Sequence, residues 1–170
     1  PILELASRTE DSNVLGIWVL QKCLQWLKYL VYIMTKKDII ERFHKLFYDS
    51  FGYTWGKTFW LGIPTAKCPL DLWIYQEIIF ELKPDVIIEC GTGSGGGSLF
   101  FASMFDMINK GEVITIDIEE KKGRPHHKRI RYLLGSSTSE DMIEQVRKFA
   151  SRKDTVMVSL DSDHHKEHVL

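Results

Sequence analysis

Apolar positions along this chain change their period near residue 84. Upstream they recur at helical spacing. Residues 14–34 (VLGIWVLQKCLQWLKYLVYIM) place Gln21, Lys22, Gln25 and Lys28 on one face, opposite Trp18, Leu20, Leu24, Leu27 and Val31. That pattern predicts an amphipathic helix. The stretch is as long as a membrane span, but Lys22 and Lys28 near its centre would be costly in hydrocarbon. The helix is expected to dock on the domain or on a partner, or to lie in a membrane interface. Residues 35–50 predict a second helix, with Thr35 as N-cap and Ile39, Phe43, Leu46 and Phe47 as its apolar stripe. Residues 51–69 interleave Gly52, Gly56, Gly62, Pro64 and Pro69 with Tyr53, Trp55, Phe59 and Trp60, which reads as a loop with a heavy aromatic load. A helix over about 70–82 follows and stops before Pro84.

Downstream, short apolar runs alternate with helical patterns. Strands are predicted at 86–89, 113–117, 129–134 and 155–160. Helices are predicted at 99–108 and 139–150, the latter N-capped by Ser139 with Met142, Ile143, Val146 and Phe149 inward. This alternation implies an α/β, Rossmann-like domain with a parallel sheet flanked by helices. Residues 1–50 form an N-terminal helical extension, and 51–170 the N-terminal part of the domain. The strands are expected in the order 3-2-1-4. The fourth would then be an exposed apolar edge, so the fold looks truncated after strand 4 and more strands are expected beyond Leu170. No internal repeat or low-complexity tract is present.

Where the first of these strands ends, the sequence reads Glu89-Cys-Gly-Thr-Gly-Ser-Gly-Gly-Gly-Ser98. Glycines at a strand-to-helix turn let the backbone bend sharply and approach a ligand. Gly91, Gly93 and Gly96 match the dinucleotide fingerprint, with Asp117 about 20 residues on. Glu89, Gly91, Gly93 and Gly95 match the ExGxGxG form typical of S-adenosylmethionine sites. Charge separates the two. A pyrophosphate at this turn would be repelled by Glu89, whereas the ammonium and sulfonium of S-adenosylmethionine would be attracted. Asp117, ending the second strand, is placed to accept both ribose hydroxyls. Ser136, in the loop after the third strand, is a candidate adenine contact or simply part of the next helix cap.

Composition narrows the field further. With 170 residues, 44% apolar, the chain can bury one ordinary core. A net charge of −1 gives no nucleic-acid footprint. Cys23, Cys68 and Cys90 form neither a disulfide framework nor a CxxC zinc pair, so a reducing, cytoplasmic setting is expected, with membrane association only through residues 14–34. Arg124, His126, His127, Lys128 and Arg129 make a basic turn that reads as a solvated face.

Several blocks in order carry a family resemblance over residues 38–170. They are Tyr53-x-Trp55, Trp60-Leu-Gly-Ile-Pro64, Cys68-Pro-Leu-Asp-Leu-Trp-Ile-Tyr-Gln-Glu77, Lys83-Pro-Asp-Val-Ile-Ile-Glu-Cys-Gly-Thr92, Gly96-Gly-Ser98, Ile116-Asp-Ile118, Leu134-Gly-Ser-Ser-Thr138, Leu160-Asp-Ser-Asp-His164 and His168-Val-Leu170. In these the chain resembles the cephalosporin hydroxylase and rhamnosyl O-methyltransferase family, which has the class I methyltransferase fold. The resemblance implies an S-adenosylmethionine pocket, with Thr92 among its loop residues, and a magnesium ion beside it on three carboxylates. One of these maps onto Asp161; an adjacent pair would lie beyond Leu170.

The chemistry suits such a site. Methyl transfer is an in-line displacement at the sulfonium methyl, and a metal that binds a hydroxyl lowers its pKa and aims it. Asp163 is a second-choice ligand. His164 is a candidate general base, His164 and His168 at i, i+4 are a candidate zinc pair, and both also read as histidines with no catalytic role. Tyr53, Trp55 and Trp60 are candidates for the acceptor pocket or for a lid over the core. Three functions stay open: an O-methyltransferase acting on a sugar, glycolipid or secondary-metabolite hydroxyl; a helper subunit for an oxygenase, without methyl transfer; and an NAD-dependent oxidoreductase. A homo-oligomer is expected.

Overall fold

The computed structural model describes residues 20–25 and 35–163. Contacts divide the chain into two units, Pro1–Asp49 and Ser50–Leu170. In the first, residues 20–25 are helical, with Leu20 and Leu24 exposed. The remainder of the 14–34 stretch lies outside the described residues. Helix α1 spans Lys36–Asp49. Its first turn is closed reciprocally. Thr35 Oγ1 accepts the Asp38 N–H at 3.2 Å, and Asp38 Oδ2 accepts the Thr35 N–H at 2.8 Å. No helix among the described residues is long and apolar enough to cross a membrane.

The second unit opens with a 3₁₀ turn, Trp55–Lys57, and a hairpin of β1 (Phe59–Trp60) and β2 (Ile63–Pro64). The sequence pattern predicts only a loop over 51–69. The hairpin forms because Leu61 and Gly62 both take positive φ, 48° and 83°, the paired left-handed geometry of a two-residue turn. Helix α2 (Pro69–Leu82) has Pro69 in its first turn and ends at Lys83 in the left-handed region, where Pro84 prevents continuation. The alternating series follows: β3 (Val86–Cys90), α3 (Gly96–Met107), β4 (Glu112–Asp117), β5 (Ile130–Leu134), α4 (Glu140–Ala150) and β6 (Val156–Leu160).

The sheet is parallel with order β5-β4-β3-β6, as the predicted 3-2-1-4 arrangement requires. Strand β3 lies inside and is buried throughout, which explains the apolar run Val86-Ile-Ile88 that leads to Glu89. Its side chains serve two cores. Ile87 packs with Ile79 of α2 and Phe101 and Phe105 of α3 on one face. Val86, Ile88 and Cys90 pack with Ile114, Ile116 and Met142 of α4 on the other. Ser139 caps α4, accepting the Met142 N–H at 3.4 Å.

Register then positions the site. Glu89 pairs with Thr115 on one side and Ser159 on the other, and Cys90 with Ile116 and Leu160. The strands therefore end level, and the loops beginning at Gly91, Ile118, Gly135 and Asp161 gather at one edge of the sheet.

Helix α3 starts at Gly96, three residues before the predicted Leu99. Glycine is a poor helix former, but tertiary packing overrides that here. A Cβ on Gly96 would stand 2.3 Å from the Pro64 carbonyl oxygen, and one on Gly97 2.5 Å from Glu89 Oε1. Hairpin and strand close on the first turn of the helix only because it lacks side chains.

Phe101 has no exposed surface and sits at the junction of α2, α3 and β3. Phe101→Ala should lower the unfolding free energy by about 3–5 kcal/mol. The check is a urea titration followed by circular dichroism. An unchanged midpoint would show that α3 is not seated as described.

Candidate functional site

The level strand ends surround a cavity of about 830 Å³ lined by Glu89, Gly91, Thr92, Gly93, Asp117, Ser136 and Asp161, among others. All of these are residues that the sequence singled out. Gly95 does not line it. It caps α3 with φ 87° and lies beneath the Pro125 ring, 2.8 Å from where a Cβ would stand.

Glu89 is 1% exposed. Its Oε2 accepts the hydroxyl of Ser98, on α3, and that of Thr115, on β4, the latter at 2.8 Å. Thr115 in turn shares a 2.7 Å hydrogen bond with Thr92. Burial pushes the Glu89 carboxyl above the usual carboxylate range; the Ser98 hydroxyl, the Lys67 charge and the Thr115 hydroxyl oppose that shift. Glu89 is thus both cavity wall and anchor of the glycine loop.

Gly91 is required by a close approach. With φ at 98°, it donates its N–H to the Ile116 carbonyl at 2.9 Å, and a Cβ would lie 2.0 Å from the Asp161 carbonyl oxygen. The exit of β6 therefore crosses directly against the glycine loop, and that contact brings Asp161 into the cavity wall.

Asp117 is engaged at both oxygens. Oδ2 accepts the Gly93 N–H at 2.8 Å and Arg124 Nη2 at 3.0 Å, and Oδ1 accepts the Glu119 N–H at 3.0 Å. This corrects the reading of the basic turn as a solvated face. Arg124 is 11% exposed, and its Nε also donates to the Gly93 carbonyl at 3.1 Å. Arg129 and His127 are turned onto Asp106 of α3, at 2.6 and 3.0 Å. The Arg129 guanidinium, burial of Asp106 opposing, holds that carboxyl below its usual range, with Lys128 and His127 adding to the effect. Arg124, His127 and Arg129 are thus held by acids presented from α3 and β4, while His126 and Lys128 stay exposed, as a solvated face requires.

Sequence reasoning missed Lys67. Its side chain is 8% exposed, and Nζ forms a short ion pair with Asp161 Oδ2. Burial disfavours its charge, but the hydrogen bond and charge of Asp161, then the charge of Glu89, outweigh that and raise its pKa above the ordinary 10.5. The available signal was its isolation: Lys67 is the one charged residue between Thr58 and Leu70. Thr58 Oγ1 fixes its backbone, accepting the Lys67 N–H at 3.2 Å.

Ser136 sits at the exposed rim of the cavity, with its hydroxyl bonded to that of Thr138 at 2.9 Å. Its carbonyl accepts the Ser139 N–H and hydroxyl, so it braces the cap of α4 as well. The aromatic candidates separate. Trp60 is locked onto the core, edge-on to Phe100 at 4.9 Å, with Nε1 donating to Ser103 Oγ at 3.0 Å. Tyr53 is 92% exposed and does not line the cavity. Trp55 does line the cavity, beside Phe51, which sequence reading passed over; their rings meet edge-on at 4.7 Å. Asp163 lines the cavity too. His164 and His168 lie outside the described residues. No group of three His, Cys, Asp or Glu side chains suited to a metal occurs among the described residues.

A family model described as Rhamnosyl O-methyltransferase/CmcI matches residues 52–170. The chain is 36% identical over 137 residues to a rhamnosyl O-methyltransferase of Mycobacterium leprae, a match covering 78% of this chain and 59% of that protein. It is 34% identical over 137 residues to one of Mycobacterium bovis, covering 78% and 55%. The chain thus spans somewhat over half the length of these curated relatives. Among solved structures, an apo form of CmcI superposes with a TM-score of 0.55 at 21% identity, over 65% of this chain and 47% of that one. A CmcI structure described as Mg-SAM gives 0.51 at 21% identity, over 64% and 47%. At that identity the likeness establishes a shared fold.

The raised pKa of Lys67 makes a prediction about pH. A base with its folded-state pKa above 10.5 contributes stability fully below that value and loses it as pH climbs through the raised one. Lys67→Met should therefore remove part of the alkaline fall in stability, seen as urea midpoints that converge with those of the parent above the ordinary lysine pKa. Parallel profiles for the two chains would show that the pair carries no such linkage.

Proposed function

Because the chain belongs to the Rhamnosyl O-methyltransferase/CmcI family, we propose that its cavity binds S-adenosylmethionine. In the whole protein the methyl group would pass to a hydroxyl oxygen of a small-molecule acceptor. The observation that carries this reading is the acidic frame of the glycine loop: Glu89 buried beneath it and Asp117 at the neighbouring strand end. A buried carboxylate under this turn opposes a pyrophosphate and favours a cation. That weighs against the dinucleotide reading of the same glycines.

S-adenosylmethionine supplies an electrophilic methyl on a sulfonium. The acceptor oxygen forms the new C–O bond as the C–S bond breaks, its electron pair staying on sulfur to leave S-adenosylhomocysteine. The residues of this chain would bind and orient. Asp117 would take a ribose hydroxyl, Ser136 at the rim would face the adenine, and Glu89 and Asp161 would give the cavity its negative potential at the cationic end. Lys67, held between those two acids, is placed to meet the carboxylate of the cofactor's amino-acid end. Trp55 and Phe51 offer an aromatic wall suited to the apolar face of a sugar ring, in keeping with the names of the curated relatives. The hydroxyl proton must leave to a base, for which Asp161 and His164 are the candidates.

Magnesium accompanies the cofactor in one solved CmcI structure. In this chain the described residues do not by themselves make a metal site: Asp161 is paired with Lys67, and no group of three ligands forms. Asp161 is the residue that would contribute to one, with further carboxylates from elsewhere in the whole protein, and no step of the scheme above passes through the ion.

Calorimetric titration of the chain with S-adenosylhomocysteine tests this reading. The parent should bind. Asp117→Ala and Glu89→Gln should each weaken binding by roughly 10- to 100-fold, the loss expected when a charged hydrogen-bond partner is removed. Binding of NAD with none of S-adenosylhomocysteine would overturn it.

A further inference from the structure

No described residue of the first unit, Pro1–Asp49, lines the cavity, and the family model begins only at residue 52. The site therefore gives no account of helix α1, Lys36–Asp49, or of its surface. Ile39, Phe43 and Leu46 recur at i, i+4 and i+7, and Ile40 and Phe47 lie alongside them on the same face. None of the residues of α1 is buried, and Ile39, Ile40, Phe43 and Leu46 are 53%, 56%, 44% and 66% exposed. The Phe43 and Phe47 rings stack with centroids 5.7 Å apart, which makes the face continuous. A contiguous apolar stripe of this kind marks an interaction surface.

The charges around the stripe decide what it meets. At helical spacing Arg42 borders it on the side of Leu46, and Lys37 borders it on the side of Ile40. Glu41 and Asp49 fall toward the opposite side with Lys45, and Asp38 is engaged by the Thr35 cap. Lys37 and Glu41 stand 3.7 Å apart as an exposed pair, which costs little to open. Residues 20–49 carry six bases and three acids, although the whole chain has a net charge of −1. Leu20 and Leu24, one turn apart, are exposed as well, with Lys22 exposed between them. We infer that α1 is a membrane-surface helix that holds the chain on anionic phospholipid. Its apolar stripe enters the boundary between headgroups and acyl chains, and the bases along both margins meet lipid phosphates. With 14 residues it is about 21 Å long, too short to cross a hydrocarbon core of about 30 Å, so it lies in the plane of the surface. A second copy of the chain would cover the stripe but give the basic margins no counter-charge. The inference goes beyond the cofactor reading and does not depend on it.

Co-sedimentation of the whole chain with vesicles tests this, using phosphatidylcholine alone and phosphatidylcholine mixed with phosphatidylglycerol. The parent should bind the mixed vesicles, release them as salt rises, and bind the neutral ones far more weakly. Phe43→Ser with Leu46→Ser should weaken binding by roughly 100-fold, since two side chains no longer leave water. Each marginal base is worth about fivefold, so Lys37→Gln with Arg42→Gln should cost about 25-fold. Lys45→Gln makes the same kind of charge change across the helix, about 10 Å away and beyond about one Debye length, and should cost less than about twofold. Should the serine pair melt α1, the glutamine pair keeps the stripe intact and still decides. Equal binding to neutral and mixed vesicles, or equal losses from the marginal and the far-side bases, would overturn the inference. So would no binding by the parent, binding that both double variants leave unchanged, or a chain that self-associates through Phe43 and Leu46 and ignores lipid.

Discussion

A carboxylate buried in the middle of a parallel sheet is the constraint around which this molecule is arranged. Glu89 is almost wholly out of water, and leaving such a group unpartnered would cost far more than any single packing contact returns. Its partners come from three directions: Ser98 from α3, Thr115 from β4 and the charge of Lys67 from the segment between β2 and α2. Each has a structural consequence. Ser98 can reach only if α3 sits directly on the strand end, which requires Gly96 and Gly97 in its first turn. Thr115 can reach only in the observed register of β3 against β4. Lys67 can reach only if its segment folds inward, which the β1–β2 hairpin and the Thr58 hydrogen bond accomplish.

The same requirement organises the charges of the cavity. Lys67 is ion-paired to Asp161 and also feels the charge of Glu89, whose own charged form burial disfavours. The adjoining wall is built differently. There Asp117 accepts the Gly93 N–H and the Arg124 guanidinium at one oxygen and the Glu119 N–H at the other.

The family match and the contact map agree on where this apparatus begins. The match starts at residue 52, just inside the unit that opens at Ser50. The residues forming the site all fall within that unit, from Phe51 at the aromatic wall to Asp163 beside the end of β6. The matched segment spans 59% and 55% of two curated relatives, so each of them continues beyond the part they share with this chain.

The strands, most helices and the strand order followed from the sequence alone. They depend on local periodicity and on the short connections of a parallel α/β fold, and those signals are written in neighbouring residues. The glycine loop, Glu89, Asp117 and Asp161 were legible for the same reason, each standing at a strand end in a recognisable pattern. What escaped was everything decided by distant partners. The hairpin at 59–64 depends on a leucine in the left-handed region, which its residue type does not suggest. The early start of α3 depends on close approach by Pro64 and Glu89. The inward turn of Arg124, and the pairing of Lys67 with Asp161 nearly a hundred residues later, depend on acids that only the folded sheet brings within reach. A charged residue is solvated by default, and only tertiary structure can supply the buried counter-charge that makes another outcome favourable.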